Sequence, residues 1–179
     1  MIDELLKIDS SFNEAMFITK VNNIFVKLMN AVMFKDLDSV RHFLSDEMEE
    51  KFKIIIDDLN NKGLTEVFDE LNVKDTFIKD VNIVDGVIII DVDLISRYMD
   101  YFIDSDGNYV KGIRNHRIEK INRLTFSKDV GSKNDSIVKK CPSCGASIDV
   151  NKSGKCSYCG SIYNNEDYDF MLTKIVTFD

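Results

Sequence analysis

The chain has 179 residues, of which 44% are hydrophobic, so it can form one sizeable core with a small appended module. Its formal net charge of −8 opposes general nucleic-acid binding, because phosphate backbones are bound by basic surfaces. No run of about 20 apolar residues is present, and the start Met1-Ile-Asp-Glu is acidic where a signal peptide is basic. These features predict a compact cytoplasmic protein.

The first part of the chain has apolar side chains spaced three or four residues apart, which is typical of amphipathic helices. Ser11 and Glu14 have the spacing of a capping box, so a long helix is expected to begin near Phe12. The apolar period continues to Met33 or Phe34. This segment is therefore predicted to be the longest helix.

Three shorter helices are expected to follow. Asp36 can cap one over residues 36–44, and Ser45 can cap another over residues 45–60. Residues 64–71 again place their apolar side chains on one helical face, which predicts a further short helix.

The pattern then changes to the alternating, β-branched residues of strands. Asp85-Gly86 favours the positive φ angles of a tight hairpin turn, so the preceding segment is expected to pair with the strand Val87–Ile103. The polar loop 104–108 is expected to lead into a third strand, Tyr109–Ser127, with a bend at Gly112.

A last strand is predicted from Tyr168 to Phe178, where apolar and polar residues alternate. Helices followed by an antiparallel sheet predict the α+β class, with the helices packed on a curved, cone-like sheet. The expected organisation is helices and three strands in residues 1–129, an insertion in residues 130–165 and a final strand of the main sheet in residues 166–179.

All four cysteines occur in two C-x-x-C pairs: Cys141, Cys144, Cys156 and Cys159. Two intervening residues let both sulfurs of a pair face one point, and the glycine after each pair permits a tight turn. A strand, a turn at residues 151–154 and a second strand are expected to bring the pairs together. Because four thiolates leave no position for a substrate water, the pattern predicts one structural zinc ion per chain in a zinc ribbon.

A redox dithiol and an iron site are the two alternatives to a zinc site. A redox dithiol usually has a single exposed C-x-x-C at a helix N-terminus within a βαβ unit, and the sequence has neither feature. Four thiolates can also hold iron, so this alternative stays open from the sequence alone.

Three weaker motifs are better explained as structure. Asp104-x-Asp106-Gly-Asn resembles the start of a calcium loop, but Asn115 stands where the bidentate carboxylate belongs, which favours a polar turn. Neither of the two histidines, His42 and His116, has a recognisable partner motif for acid–base catalysis. Both are interpreted as structural.

Basic residues are concentrated in the second part of the chain, where residues 111–179 have a net charge of +4 against −12 for residues 1–110. Six of them lie in the predicted third strand or directly after it: Lys111, Arg114, Arg117, Lys120, Arg123 and Lys128. A solvated strand face explains such a run. The alternative is a patch that binds anionic lipid headgroups, RNA or an acidic protein surface.

The chain resembles the bacterial, zinc-ribbon-bearing branch of the Tim44-like domains. The resemblance rests on the helical segment 9–44, on residues 123–128 that enter the cysteine segment, on residues 167–175 that leave it, and on the two Cys-x-x-Cys-Gly motifs. It implies the cone fold of the nuclear-transport-factor-two-like superfamily, in which helices and a curved sheet enclose a pocket. It also implies an interaction module that binds proteins, RNA or membranes.

Together these features predict a non-enzymatic cytoplasmic scaffold that binds a protein or, as a peripheral protein, an anionic membrane surface, with no specific nucleic-acid partner. The basic strand would be its contact surface. The alternative hypothesis is a small-molecule-binding or catalytic protein that uses the pocket of the cone, with His116, Asp91 or Asp93 as base. The sequence leaves open whether the chain forms a homodimer.

Overall fold

The computed structural model describes residues 1–130, 138–141, 143–149, 154–162 and 170–178. In these residues the helices are α1 (Ile2–Ile8), α2 (Glu14–Phe34) and α3 (Asp46–Asn61). The strands are β1 (Thr65–Val84), β2 (Val87–Ile103), β3 (Tyr109–Asp129), β4 (Val138–Lys140), β5 (Ser147–Asp149) and β6 (Met171–Phe178). The main sheet is antiparallel in the order β1-β2-β3-β6, which confirms the α+β class.

The long predicted helix is confirmed as α2, but its N-cap is Asn13. The Asn13 side chain accepts a hydrogen bond from the backbone N–H of Met16 at 2.9 Å. Ser11, the predicted cap, instead donates its hydroxyl to the Asp9 carboxylate at 2.6 Å. The helix therefore begins two residues later than its capping-box spacing predicts.

The predicted helix at residues 64–71 is wrong, because this segment becomes the start of β1. A β-bulge interrupts the pairing with β2 between Asp69 and Asn72, and the intervening Glu70 has a φ of 52°. The bulge shifts the strand alternation, so Phe68 and Leu71 both pack against the core although they are three residues apart. That spacing imitates a helical period.

The predicted helix at residues 36–44 is wrong for most of its length, since only Arg41–Phe43 forms a single 3-10 turn. Asp36 accepts a hydrogen bond from the backbone N–H of Asp38 at 2.8 Å, which stabilises a turn. Helix α1 was not predicted from the sequence, and it places Leu5 in the core with no exposed surface.

The hairpin turn Asp85-Gly86 is confirmed, with φ angles of 51° and 79° that are typical of a type I′ turn. The bend at Gly112 is confirmed by its φ of 109°. A Cβ atom there would lie 2.5 Å from the carbonyl oxygen of Asp100, so the close approach of β2 requires glycine.

A larger irregularity of β3 follows the bend. Ile113 pairs with Asp100 and Ile118 pairs with Tyr98, so residues 114–117 form a bulge with more residues than the facing strand. The bulge changes the face of the sheet on which the predicted basic residues lie.

The core lies between the helices and one face of the main sheet. Even-numbered residues of β2 from Ile88 to Tyr98 are buried on this inner face, and the odd-numbered ones point to the outer face. Four phenylalanine rings, with centroids 5.2–6.1 Å apart, connect the helical segment to β3 and to the residue before β6: Phe12, Phe17, Phe126 and Phe170. Within the described residues, no helix has both the length and the hydropathy that crossing a membrane requires.

The cysteine segment is built differently from the predicted ribbon. Strand β5 pairs with β4, which precedes the first cysteine, and Lys155 forms a bridge with Ile162 after the last one. Each cysteine pair therefore has its own small antiparallel pair. The predicted turn at residues 151–153 and the predicted strand start at Tyr168 lie outside the described residues.

Candidate functional site

The two cysteine pairs lie in tight turns of the same kind. The backbone N–H of Gly145 donates to the carbonyl of Cys141 at 2.9 Å, and that of Gly160 donates to Cys156 at 2.9 Å. The two glycines have φ angles of 73° and 75°, a left-handed conformation that favours glycine over other residues. Repetition of the turn explains why the C-x-x-C-G motif occurs twice.

The turns bring the four Sγ atoms within 4.8 Å of one another. Among these pairs, Cys141 and Cys159 are 3.7 Å apart and Cys144 and Cys156 are 3.8 Å apart. A tetrahedral ion with metal–sulfur bonds of about 2.3 Å has edges of about 3.8 Å, whereas a disulfide bond needs about 2.05 Å. The four predicted ligands are therefore arranged as a four-coordinate metal centre requires.

The surroundings of Cys141 favour the thiolate that binds metals. Its burial alone favours the neutral thiol, but the hydroxyl of Ser161, 3.3 Å away, and the backbone N–H groups of Ser143 and Cys144 act in the opposite direction. Together they lower the pKa of Cys141 to about 6. This side chain can therefore lose its proton readily at neutral pH.

A cavity of about 270 Å³ lies between α2, α3 and the inner face of the sheet. Its helical side includes Phe25, Leu28 and Phe52. Its sheet side includes Phe68 and Tyr98, whose rings meet edge to face with centroids 5.5 Å apart. A mostly apolar cavity with a few polar groups is the usual form of a small-molecule site.

Two carboxyl groups of the cavity, Glu66 on β1 and Asp100 on β2, lie close enough for each to affect the pKa of the other. Burial, followed by the charge of Asp100, raises the pKa of Glu66 from 4.5 to about 7. Burial also raises the pKa of Asp100, although Lys120 acts in the opposite direction. Glu66 is therefore partly protonated close to neutral pH.

The sequence did not indicate Glu66 or Asp100, and the two carboxyl groups that it suggested as a base, Asp91 and Asp93, do not line the cavity. Asp91 and Asp93 lie on the outer face of the sheet, where Asp91 accepts the hydroxyl of Thr125 at 2.6 Å. Asp93 forms two hydrogen bonds with Arg123, at 2.7 and 2.8 Å, which lower its pKa. Strand parity could have found Asp100, because it is even-numbered like the buried apolar residues of β2.

The histidine of the catalytic hypothesis is also elsewhere. His116 is exposed in the β3 bulge, with Nδ1 2.8 Å from the side-chain oxygen of Asn115. His42 is buried against Phe43, with ring centroids 3.9 Å apart. Of the described part of the chain, neither histidine lines the cavity, so the carboxyl pair has no imidazole beside it for proton transfer.

The six basic residues of β3 do not form one surface. Lys120 and Lys128 lie on the inner face of the sheet and Arg123 lies on the outer face. Three of the six pair with acidic side chains, namely Arg123 with Asp93 at 2.7 Å, Lys128 with Asp9 at 2.7 Å and Arg117 with Glu70 at 3.6 Å. These pairs reduce the positive charge that a partner would meet.

The end of the β2–β3 hairpin combines basic and aromatic side chains, and we call it the arm end. Tyr101, Tyr109 and Arg114 lie together on the outer side, and Lys111 lies opposite Phe102 on the inner side. Residues 109–117 are all exposed. The guanidinium carbon of Arg114 lies 4.5 Å from the ring centroid of Tyr109, and the Lys111 ammonium lies 4.9 Å from that of Phe102. Cation–π contacts of this kind restrict long side chains before a partner binds.

A comparison with protein families places the chain. The family model of the Tim44-like domain matches residues 1–137, which include all three helices and strands β1 to β3. The chain belongs to the Tim44-like domain family. A search of curated proteins found no match. Tim44-like domains are cone folds of the nuclear-transport-factor-two-like superfamily and are generally non-catalytic interaction modules.

The family match confirms the Tim44-like resemblance that the sequence suggested, and it leaves the predicted domain boundaries untested. The matched residues end before the first cysteine, so the family model does not cover the cysteine centre. Strand β6 follows that addition and pairs with β3 in the main sheet. The domain boundaries at residues 130 and 165 stay a prediction.

The carboxyl pair of this Tim44-like domain predicts a pH-dependent stability. Because the folded-state pKa of Glu66 lies above its ordinary 4.5, its contribution to stability is present below about pH 4.5 and is lost as pH rises through about 7. We expect Glu66→Gln to raise the free energy of unfolding by about 1–2 kcal/mol more at pH 8 than at pH 5, allowing for solvent screening. Urea unfolding at both pH values measures this difference.

Glu119→Gln is the matched control, because the neighbouring Lys74 lowers the pKa of Glu119. This variant should show no gain in stability at pH 8. An equal effect of Glu66→Gln at both pH values would contradict the assignment of the proton to the cavity pair.

Proposed function

We propose that this Tim44-like protein is a non-enzymatic interaction module that binds an acidic protein surface through the arm end, while its four cysteines hold one structural zinc ion. The observation that carries the proposal is the run of exposed residues 109–117, where basic and aromatic side chains are already in contact. The general role of the family supports it.

Zinc is the metal that the donor set favours. Four thiolates are typical of structural zinc sites, and two of the sulfur pairs have the spacing of a zinc tetrahedron. Four protein ligands leave no coordination position for a substrate, so the ion would stabilise the fold of the segment. Iron accepts the same ligands, and metal analysis separates the two.

A protein partner explains the arm end better than a membrane or a nucleic acid. Tyrosine and arginine are the residues that most often dominate protein interfaces. The arm end also lies beside Val110 and Ile113, which are 46% and 36% exposed. The net charge of −8 disfavours a polyanionic surface that extends beyond this small basic area. An acidic protein patch with an apolar centre is complementary to it.

The test uses the full chain in three forms with equal folding and metal content. The arm-end variant is Tyr109→Ala with Arg114→Ala, and the control is Arg97→Ala with Phe178→Ala, which removes one exposed arginine and one exposed ring elsewhere on the sheet. Each immobilised protein is incubated with extract of its native host, and bound proteins are quantified. Flotation with vesicles that contain cardiolipin or phosphatidylserine tests membrane binding in parallel.

We expect a reproducible acidic partner that the wild type and the control retain and that the arm-end variant loses by at least about tenfold, with weaker binding at high salt. The proposal fails if the arm-end variant retains the same partner as the wild type. It also fails if only vesicles bind in an arm-dependent manner, since the partner surface would then be a membrane.

A further inference from the structure

One end of the cavity is polar, and the folded chain does not supply a hydrogen-bond donor for every acceptor there. Asp100 Oδ1 is buried and has no hydrogen-bond partner among the described residues. A buried acceptor without a donor is costly, and native proteins rarely contain one without a functional reason. A molecule in the cavity that donates a hydrogen bond would remove this cost.

The walls of the cavity favour a cationic donor with an apolar chain. The face of an aromatic ring attracts cations, and Phe68 and Tyr98 line the same space as the two carboxyl groups. The helical wall contributes Leu28 and Val32, which suit an aliphatic chain. The volume of about 270 Å³ is just below the roughly 300–1,000 Å³ of drug-sized pockets, so the chain would be short.

We propose that this cavity binds a small aliphatic amine as its ammonium ion, with the ammonium group on Glu66 and Asp100 and the alkyl chain against the apolar wall. No residue of the cysteine centre or of the arm end lines the cavity, so failure of this inference would leave the proposed interaction function unaffected.

The lysines near the cavity do not fully compensate the two carboxyl groups, so a bound ammonium ion can still be stabilised there. Lys51 lines the cavity, but its ammonium donates to the carbonyl of Ile175 at 3.4 Å. Lys111 and Lys120 on β3 act on the carboxyl groups at a distance and favour their ionised forms. Burial raises the pKa of Glu66 more than the lysines lower it, because this pKa still lies near 7. A bound ammonium ion would complete the compensation of the second negative charge.

Binding of the cation should release a proton. Near pH 6 the Glu66 carboxyl is mostly protonated, and an ammonium ion favours the carboxylate, so the proton passes to the buffer as the ligand enters. Affinity should therefore rise from pH 5.5 to pH 8, where the amine is still fully protonated. A purely apolar ligand would show neither effect.

The probe is hexylammonium, compared with 1-hexanol and hexanoate, which have the same chain length without the cation. Isothermal titration calorimetry of the full chain at pH 5.5 and pH 8, in two buffers of different ionisation enthalpy, measures affinity and proton release. The variants are Glu66→Gln and Asp100→Asn. Asp69→Asn is the control, because this carboxylate lies on β1 but accepts the hydroxyl of Tyr101 outside the cavity.

We expect hexylammonium to bind at least about tenfold more tightly than 1-hexanol and at least about tenfold more tightly at pH 8 than at pH 5.5, with proton release at pH 6. Glu66→Gln should abolish both the proton release and the pH dependence, and Asp69→Asn should change neither. The inference is overturned if folded wild-type protein binds 1-hexanol or hexanoate as tightly as hexylammonium. Absence of hexylammonium binding at millimolar concentration overturns it as well.

Discussion

Replacing Cys156 with serine is expected to remove the metal ion and the order of both cysteine turns, while the main domain stays folded. Serine is a much weaker zinc ligand than a thiolate, and an incomplete ligand set binds far less tightly. Cys156 is only 2% exposed and packs with Cys141 and Ile148 in a small cluster separate from the main core. Loss of the metal should therefore destabilise this cluster without creating a hole beneath the helices.

The measurement is native mass spectrometry of protein purified without added metal, before and after a strong chelator. Wild-type protein should carry one zinc ion per chain, and Cys156→Ser should carry none. Hydrogen exchange gives the local readout, because the amides of Cys141 and Cys156 donate to Ala146 at 2.7 Å and to Ser161 at 2.8 Å, and both should lose protection.

Ser143→Ala is the matched control for the cysteine variant. Ser143 is exposed and its contact with Cys141 uses the backbone N–H, which alanine retains. This variant should bind a full equivalent of metal. Full zinc content in Cys156→Ser would exclude the four-cysteine site, and iron in the wild type would replace zinc in the proposal.

Phe170→Ala is expected to lower the free energy of unfolding of the whole domain by about 3–5 kcal/mol. Phe170 lies directly before β6 and is only 1% exposed. Its ring lies 5.2 Å from Phe17 and 6.1 Å from Phe12, and the Lys128 ammonium is 5.5 Å from its centroid. Truncation leaves a cavity where the helical segment, β3 and the returning chain meet.

Urea unfolding followed by far-UV circular dichroism measures this loss. Phe178→Ala removes the same side chain from the other end of β6, where Phe178 is 43% exposed, and should change stability by only about 0.5 kcal/mol. Equal effects of the two variants would mean that the return of the chain to the sheet does not depend on the phenylalanine cluster.

Local patterns in the sequence were sufficient where a residue acts through its neighbours along the chain. The Asp85-Gly86 turn is confirmed because its positive φ angles depend on two adjacent residues. The same holds for α3, whose N-cap Ser45 accepts the backbone N–H of Met48 at 3.3 Å. The cysteine centre could be predicted because each C-x-x-C-G motif encodes its own turn.

Predictions were wrong where pairing between strands decides the result. The bulge at Glu70 gives the sequence of β1 an apparent helical period. This bulge forms because β1 has more residues here than the facing segment of β2. The sequence left open whether the basic residues of β3 form a solvated strand face or one patch, and the bulge at residues 114–117 and ion pairs such as Arg123 with Asp93 divide them. Neither effect leaves a local signal in the sequence.

The sequence by itself therefore determined the α+β class, the family and the clustering of the four cysteines, because these depend on composition and on short-range spacing. Only the tertiary structure decided where the polar groups meet. Glu66 and Asp100 are far apart in the chain and become neighbours through the β1–β2 pairing, beside a cavity that residues of α2 and α3 also line. The raised pKa of Glu66 arises from burial and from the nearby charge of Asp100, a combination that no single segment contains.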